Sequence, residues 1–251
     1  MSVPLQPLSW YRKLNTKKGR LAAGAFIVEG DRAIRQIMAV SPDDIIEILS
    51  VEEAPPAYRD YAVRRLTGSQ FLYVSSTRTP QGVLAVVRQP EGIYSSRLPG
   101  EPGARILLLE DVQDPGNAGT LIRTAAAFGF AGVILTEGCA DPLSPKCVQA
   151  TAGTVLSVWL RRTAYYLDIV SALREGGYAL VAAELNGAHG PSVLERQRLV
   201  LALGNEAAGL SGKLLGLADY RLRIPTIREK AESLNVAACG AVCMYLASRT
   251  G

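Results

Sequence analysis

The 251-residue chain is poor in histidine, cysteine and aromatic side chains: one His, four Cys, and only 6% Phe, Trp and Tyr. With His189 alone, any histidine-based dyad or triad would have to be built on that one residue. Cys139, Cys147, Cys239 and Cys243 contain no C-x-x-C pair and do not complete a zinc set with His189. Reduced thiols in a cytoplasmic protein are therefore expected, with no metal. No apolar stretch is long enough to span a bilayer, and Met1–Leu14 lacks the charged-then-apolar order of a signal peptide, so no membrane attachment is expected. No G-x-G-x-x-G follows the first strong strand and no G-x-x-x-x-G-K-[ST] occurs, which disfavours a nicotinamide dehydrogenase or a P-loop protein. Disorder is excluded as well, because 48% of the residues are hydrophobic against 20% charged.

What remains is an apolar-rich chain of a length between one domain and two. Strand-like and helix-like segments alternate throughout, which predicts an α/β class with largely parallel sheets. In the first part, Ala25–Glu29, Asp44–Ser50, Phe71–Ser75 and Val83–Arg88 read as strands, and Asp31–Ala39 and Ala57–Leu66 as helices. Gln89–Gly103 (QPEGIYSSRLPGEPG) has no apolar period and reads as a linker. Beyond it, Arg105–Leu109 (RILLL) has the composition of a strand buried on both faces. Leu121–Phe128, Pro145–Thr151 and Ile169–Glu175 read as helices; Gly132–Thr136, Tyr178–Glu184, Leu199–Leu203 and Arg221–Ile224 read as strands. The last helix, Leu234–Ser248, is apolar nearly all round and crowded with Ala and Gly. It is expected to be buried, either within the monomer or partly in a subunit interface.

Charge is uneven. Residues 1–100 hold 13 Lys and Arg against 9 Asp and Glu, whereas 101–251 hold 14 of each. Arg12, Lys13, Lys17, Lys18 and Arg20 fall in the first 20 residues, where no acid occurs. Beside Trp10 and Tyr11 they make either an arm that tracks a phosphate backbone while the rings stack on bases, or a solvated terminus.

Polar residues and glycines gather at the carboxyl ends of three strands, the edge at which parallel sheets bind ligands. Glu110–Gly129 contains the turn Asp114-Pro115-Gly116-Asn117, then a helix carrying Arg123 among small apolar residues. That arginine suits a phosphate or a developing oxyanion, or is bonded to local carbonyls. Gly204–Leu210 places a glycine where a ligand can lie against the backbone, and Asn205 and Glu206 offer hydrogen bonds to sugar hydroxyls or an amine. In the third segment Pro225 ends a strand, and a loop leads to Ser233 and Asn235 at a helix start. Ser233 reads as the N-cap, and free N–H groups there can also hold an anion.

Together these segments resemble, in order and spacing, the three motifs of the SpoU (TrmH-type) family of RNA ribose 2′-O-methyltransferases. The first resembles N-x-G-x-x-x-R-x-A-x-x-F-G, through Asn117, Gly119, Arg123, Ala125 and Phe128-Gly129. The second resembles L-x-x-G-N-E-x-x-G-L, through Leu201 to Leu210, and the third I-P … E-S-L-N-V, through Ile224-Pro225 and Glu232 to Val236. Asp141–Lys146 and Ala150–Gly153 resemble a further stretch of the ribosomal-RNA branch. Phe26–Gly30 and Thr79–Val83 resemble the small substrate-binding domain, related to ribosomal protein L30e, that precedes the catalytic domain in many members. Two departures stand out: the loop holding Ile227–Lys230 is one residue longer than usual, and Gln149 replaces an arginine.

The resemblance implies a basic arm over 1–20, an L30e-like domain over 21–90, a linker over 91–103, and a SPOUT catalytic domain with a deep trefoil knot over 104–251. It implies a homodimer with the site between subunits, and S-adenosylmethionine held by Leu203, Gly204, Asn205, Gly209, Ile224, Pro225, Ser233 and Leu234. Arg123 would activate the ribose 2′-hydroxyl. Asn117 and Glu206 would orient Arg123 or the ribose, and Ser233 and Asn235 would hold a phosphate or the third loop. A guanidinium is very hard to deprotonate, so stabilising the alkoxide is the role that fits its chemistry. Arg12, Lys13, Lys17, Lys18, Arg20 and Lys146 would contact RNA. The expected substrate is 23S ribosomal RNA, for a housekeeping or a resistance enzyme. The alternatives are a tRNA-specific member and an RNA-binding protein without activity.

Overall fold

The computed structural model of the protein describes residues 6–77, 79–227, 229–230 and 233–249. Arg228, in the longer third loop, and Glu232, which opens its E-S-L-N-V, lie outside them. The chain divides into two compact units, residues 1–91 with 141–157, and 92–140 with 158–251.

The first unit begins with two short helices, α1 (Leu8–Lys13) and α2 (Lys17–Ala23), followed by β1 (Ala25–Glu29), α3 (Asp31–Val40), β2 (Ile45–Ser50), β3 (Val63–Arg65), α4 (Gly68–Val74) and β4 (Val83–Arg88). The sheet order is β1-β4-β2-β3. Only β2 and β3 are parallel; β4 lies between β1 and β2 and runs against both, so a largely parallel sheet does not hold here. Two further expectations fail. In place of a helix over Ala57–Leu66, Pro55 and Pro56 open a single 3₁₀ turn, Pro56–Tyr58, and β3 follows. Phe71 lies in a helix, not a strand, because Thr67 and Gln70 form a reciprocal capping box that launches α4.

The basic start of the chain is not an arm. Tyr11 and Leu14 are fully buried in a cluster with Ile27, Phe71, Val74 and Leu84. Tyr11 donates to the buried carboxylate of Glu47 at 2.5 Å, and burial, then that bond, pushes the phenol up to about 12. Trp10 packs edge-on against Tyr11, 5.2 Å between ring centres. Tyr11 therefore has no face left for a base. Arg20 is also 2% exposed; it donates to Leu14 O at 3.0 Å and pairs with Asp141 at 2.5 Å. Its role is structural, which removes it from the RNA-binding set.

The second unit opens with β5 (Arg105–Leu109), α5 (Pro115–Ala127) and β6 (Gly132–Leu135). The chain then contributes residues 141–157, with α6 (Pro145–Thr151), to the first unit, where α6 packs beside β1. Gly153, at φ +91°, sits so close to α3 that a Cβ would lie 2.4 Å from Ala33 O. The second unit resumes with β7 (Trp159–Arg162), α7 (Tyr166–Glu175), β8 (Ala179–Ala183), β9 (Leu199–Leu203), α8 (Gly212–Leu217), β10 (Tyr220–Leu222) and α9 (Val236–Ser248).

Its six strands, in the order β10-β8-β9-β5-β6-β7, are all parallel. Burial on both faces explains the unbroken RILLL and LVLAL runs. Ile106, Leu108, Val200 and Ala202 face α7 and α8, through Ile169, Val170, Leu173 and Leu214. α5 and α9 pack on each other, and Gly240 admits Leu121 and Leu203 so closely that a Cβ would meet them at 2.3 and 2.7 Å. α9 is not buried all round. Val236, Ala237, Gly240, Cys243, Met244 and Ala247 face inward, while Val242 and Tyr245 are 40% and 51% exposed. Among the described residues no helix is long and apolar enough to cross a membrane.

Candidate active site

The carboxyl ends of β5, β8, β9 and β10 carry the loops that form the site. α5 starts earlier than its apolar period suggests. Asp114 is its N-cap, accepting from Asn117 N at 2.8 Å, and Pro115 takes the first position, so the supposed turn is the first helical turn. That puts Asn117 in the turn nearest the sheet edge. α9 starts at Val236, later than expected, because Asn235 rather than Ser233 caps it: Asn235 Oδ1 accepts from Ala237 N and Ala238 N at 2.9 and 3.2 Å.

These placements bring three distant segments together. Asn117 Nδ2 donates to Glu206 Oε1 at 2.8 Å, and Asn235 Nδ2 donates to Asn117 Oδ1 at 3.2 Å. Each of the three polar side chains comes from a different segment: the first turn of α5, the loop after β9 and the N-cap of α9. The amide donates to the carboxylate with its nitrogen and accepts from the second amide with its oxygen.

Beside this relay lies a cavity of about 540 Å³. Its walls come from 203–210, 183–186, Leu222, Ile224, Thr226, Ser233, Leu234, Val236 and Cys239. Leu203, Gly204, Asn205, Gly209, Ile224, Ser233 and Leu234 thus line one space, and Pro225 stands between two lining residues. Two roles read from the sequence change. Gly204 lacks a side chain because the loop's own backbone lies over it: a Cβ would be 2.3 Å from Gly209 C and 2.5 Å from Leu210 N. Asn205 is a staple of that loop, accepting from Ala207 N and Ala208 N and donating to Asp111 O at 2.8 Å, so its amide is not offered to a sugar.

Arg123 is exposed on α5, six residues beyond Asn117 and so about 9 Å further along the helix axis. It is not part of the cavity wall. Arg12, Lys13, Lys17 and Lys18 are exposed on the first unit's opening helices, and Lys146 is exposed on α6. The Arg12 guanidinium lies 4.6 Å from the Tyr73 ring centre. None of the four cysteines is in a disulfide, and Cys139, Cys147 and Cys243 are buried while Cys239 is partly exposed.

Residues 104–245 match the model of the SpoU rRNA Methylase family, and residues 10–85 match an MRM3-like substrate binding domain. The chain belongs to the SpoU rRNA methylase family. One relative, the 23S rRNA (guanosine(2553)-2′-O)-methyltransferase RlmP of Bacillus subtilis, is 34% identical across 96% of this chain and 95% of its own length. A 23S rRNA (uridine(2479)-2′-O)-methyltransferase of Streptomyces viridochromogenes is 28% identical across 96% and 88%. Among solved structures, the SpoU methyltransferase AviRb of Streptomyces viridochromogenes in complex with AdoMet superposes with a TM-score of 0.81, at 28% identity over 96% of each chain. An AdoMet-bound rRNA methyltransferase from Sinorhizobium meliloti gives 0.80, at 28% identity over 99% of this chain and 97% of its own. The SpoU likeness of the three motifs and the α/β fold with a parallel sheet are thereby established. What the motifs could not reveal is how Asn117, Glu206 and Asn235 join, since their partners lie 89 and 118 residues apart.

Proposed function

We propose that this protein transfers a methyl group from S-adenosylmethionine to the ribose 2′-hydroxyl of a nucleotide in 23S ribosomal RNA, acting in the cytoplasm. The observation that carries the reading is the Glu206–Asn117–Asn235 relay at the rim of the cavity. The cavity suits the cofactor: its volume lies within the usual ~300–1,000 Å³ of small-molecule sites. Leu203, Leu210, Leu222 and Ile224 supply apolar wall for a purine. When bound, S-adenosylmethionine supplies a methyl group already activated on a sulfonium centre.

The chain's own residues have the remaining tasks. Asn117 and Glu206 hold each other rigidly at the rim and orient the ribose. Ser233, exposed on the cavity wall beside the α9 cap, holds a phosphate together with Asn235. Arg123 stabilises the 2′-alkoxide as the hydroxyl proton leaves, a charge role that a permanently cationic guanidinium performs without losing its own proton. Arg123 stands exposed on α5, the helix packed against α9, whose Val242 and Tyr245 are exposed in turn. We take that surface as the dimer contact, with the active site completed between two subunits. A trefoil knot at the C-terminal end accords with the strand order, in which β10 lies beyond β8 while α9 packs back on α5. The first unit, as an L30e-like domain, presents Arg12, Lys13, Lys17, Lys18 and Lys146 to RNA phosphates.

Transfer of tritiated methyl from S-adenosylmethionine onto separated 23S rRNA and tRNA, followed by mapping of the modified nucleotide, tests the reading. Label should appear in 23S rRNA at one ribose, and a 2′-deoxy substitution there should abolish it. Label in tRNA alone would replace the substrate, and no label with bound cofactor would leave an RNA-binding protein.

A further inference from the structure

We propose that Glu110 is a positioning residue for this reaction: a buried carboxylate at the end of β5 that fixes the cofactor loop by gripping its exit. The inference rests on the cofactor assignment above. Glu110 is 4% exposed. Its backbone N–H donates to Leu203 O at 2.9 Å, where the 204–210 loop begins. Its side chain takes three donors, two from Ser211 where the loop ends and one from Tyr166 at the start of α7. Ser211 N reaches Oε2 at 2.6 Å; Ser211 Oγ and Tyr166 OH reach Oε1 at 2.7 and 2.5 Å. Ser211 Oγ then accepts from Leu214 N at 3.2 Å, which caps α8.

The next residue secures the entrance. Asp111, held in the left-handed region at φ 56°, offers its carbonyl to Asn205 Nδ2. Its carboxylate accepts from Thr136 Oγ1 at 2.5 Å, and that hydroxyl accepts from Asp111 N at 2.9 Å. One dipeptide thus holds both ends of a loop whose middle is cavity wall. No cation pairs with Glu110 among the described residues. Burying a carboxylate without one is costly, and the three hydrogen bonds it accepts are what offset that cost here. The carboxylate has one property that neither an amide nor a hydrocarbon matches: both of its oxygens accept. Tyr166, pushed up to about 12 by burial and then by the Glu110 bond, remains a donor throughout the neutral range.

Glu110→Gln keeps the shape but turns an NH₂ group toward a neighbouring donor. In the full-length protein, calorimetry should then give a Kd for S-adenosylmethionine raised by about ten-fold or more, with the KM for RNA unchanged. Ser211→Ala should weaken cofactor binding several-fold, and Ser211→Thr, which restores the hydroxyl, should return it to wild type. A purely structural role would lower the melting temperature and leave the Kd of the folded protein unmoved; that result overturns the inference. If Glu110→Gln does not fold, equal Kd values for Ser211→Ala and Ser211→Thr overturn it instead. A wild-type protein that fails to bind S-adenosylmethionine would defeat the cofactor assignment, a failure distinct from a variant that binds as well as wild type.

Discussion

Asn117→Asp is the sharpest perturbation of the relay, because it changes one atom and reverses one interaction. In the native protein the Asn117 amide donates to Glu206 at 2.8 Å and accepts from Asn235 at 3.2 Å. A hydrogen bond to a carboxylate contributes about 1.5–3 kcal/mol when shielded; at this exposed rim about 1 kcal/mol is reasonable, and the longer amide bond adds about 0.5. Losing both, in Asn117→Ala, should lower kcat/KM by roughly ten-fold. Asn117→Asp should do worse at neutral pH, since two ionised carboxylates then face each other. As pH falls the pair can share one proton, so the activity of Asn117→Asp relative to wild type should rise toward about pH 5. The relative activity of Asn117→Ala should stay flat over the same range. Methyl incorporation into 23S rRNA, measured across pH for wild type and both variants, reads these ratios. The reasoning fails if Asn117→Asp works like wild type at neutral pH. It fails equally if Asn117→Ala and Glu206→Ala add to within about 0.3 kcal/mol, as independent sites do.

Arg123→Ala should abolish methyl transfer while leaving the calorimetric Kd for S-adenosylmethionine within a few-fold; near-normal turnover would discredit its role. Breaking the buried Arg20–Asp141 pair with Arg20→Met or Asp141→Asn should cost about 3–5 kcal/mol in the first unit, seen as a lower denaturation midpoint. Replacing both partners by apolar residues should recover much of that loss. Tyr11 and Tyr166 are raised from 10.0 to about 12 by burial and then by their carboxylate partners, so the native state holds their protons more tightly than the unfolded chain does. Their contribution to stability is complete below pH 10 and lost as pH rises through about 12. Urea unfolding at stepped alkaline pH, with tyrosinate absorbance followed in parallel, should show that decline; constant stability across the range would contradict it.

Legibility in the sequence follows the range of the interaction involved. RILLL and LVLAL announce buried parallel strands because burial on both faces leaves no room for polar residues, and Pro145–Thr151 is opened by its own proline and ends at Ala152 and Gly153, both at positive φ. The α4 helix is equally local, since Thr67 and Gln70 spell its capping box, yet the aromatic run after them suggests a strand. Arg20 is another matter. Nothing nearby distinguishes it from Lys17 or Lys18; its carboxylate partner lies 121 residues away. Glu110 is invisible for the same reason, with its donors at Tyr166 and Ser211. The motifs single out the three segments, but the division of labour within them, with Asn205 stapling and Asn117 bridging, requires knowing which atoms each amide meets.

The excursion of residues 141–157 into the first unit means that this unit is written in two instalments. A cut at the Gln89–Gly103 stretch would give an N-terminal fragment without α6 beside β1 and without the acid that neutralises Arg20. The complementary fragment would carry Cys147, Val148 and Thr151, buried in the intact chain, with nothing to cover them. Chimaeras that exchange this unit between relatives must therefore transplant both stretches at once, and any drift in one instalment selects for a matching change in the other.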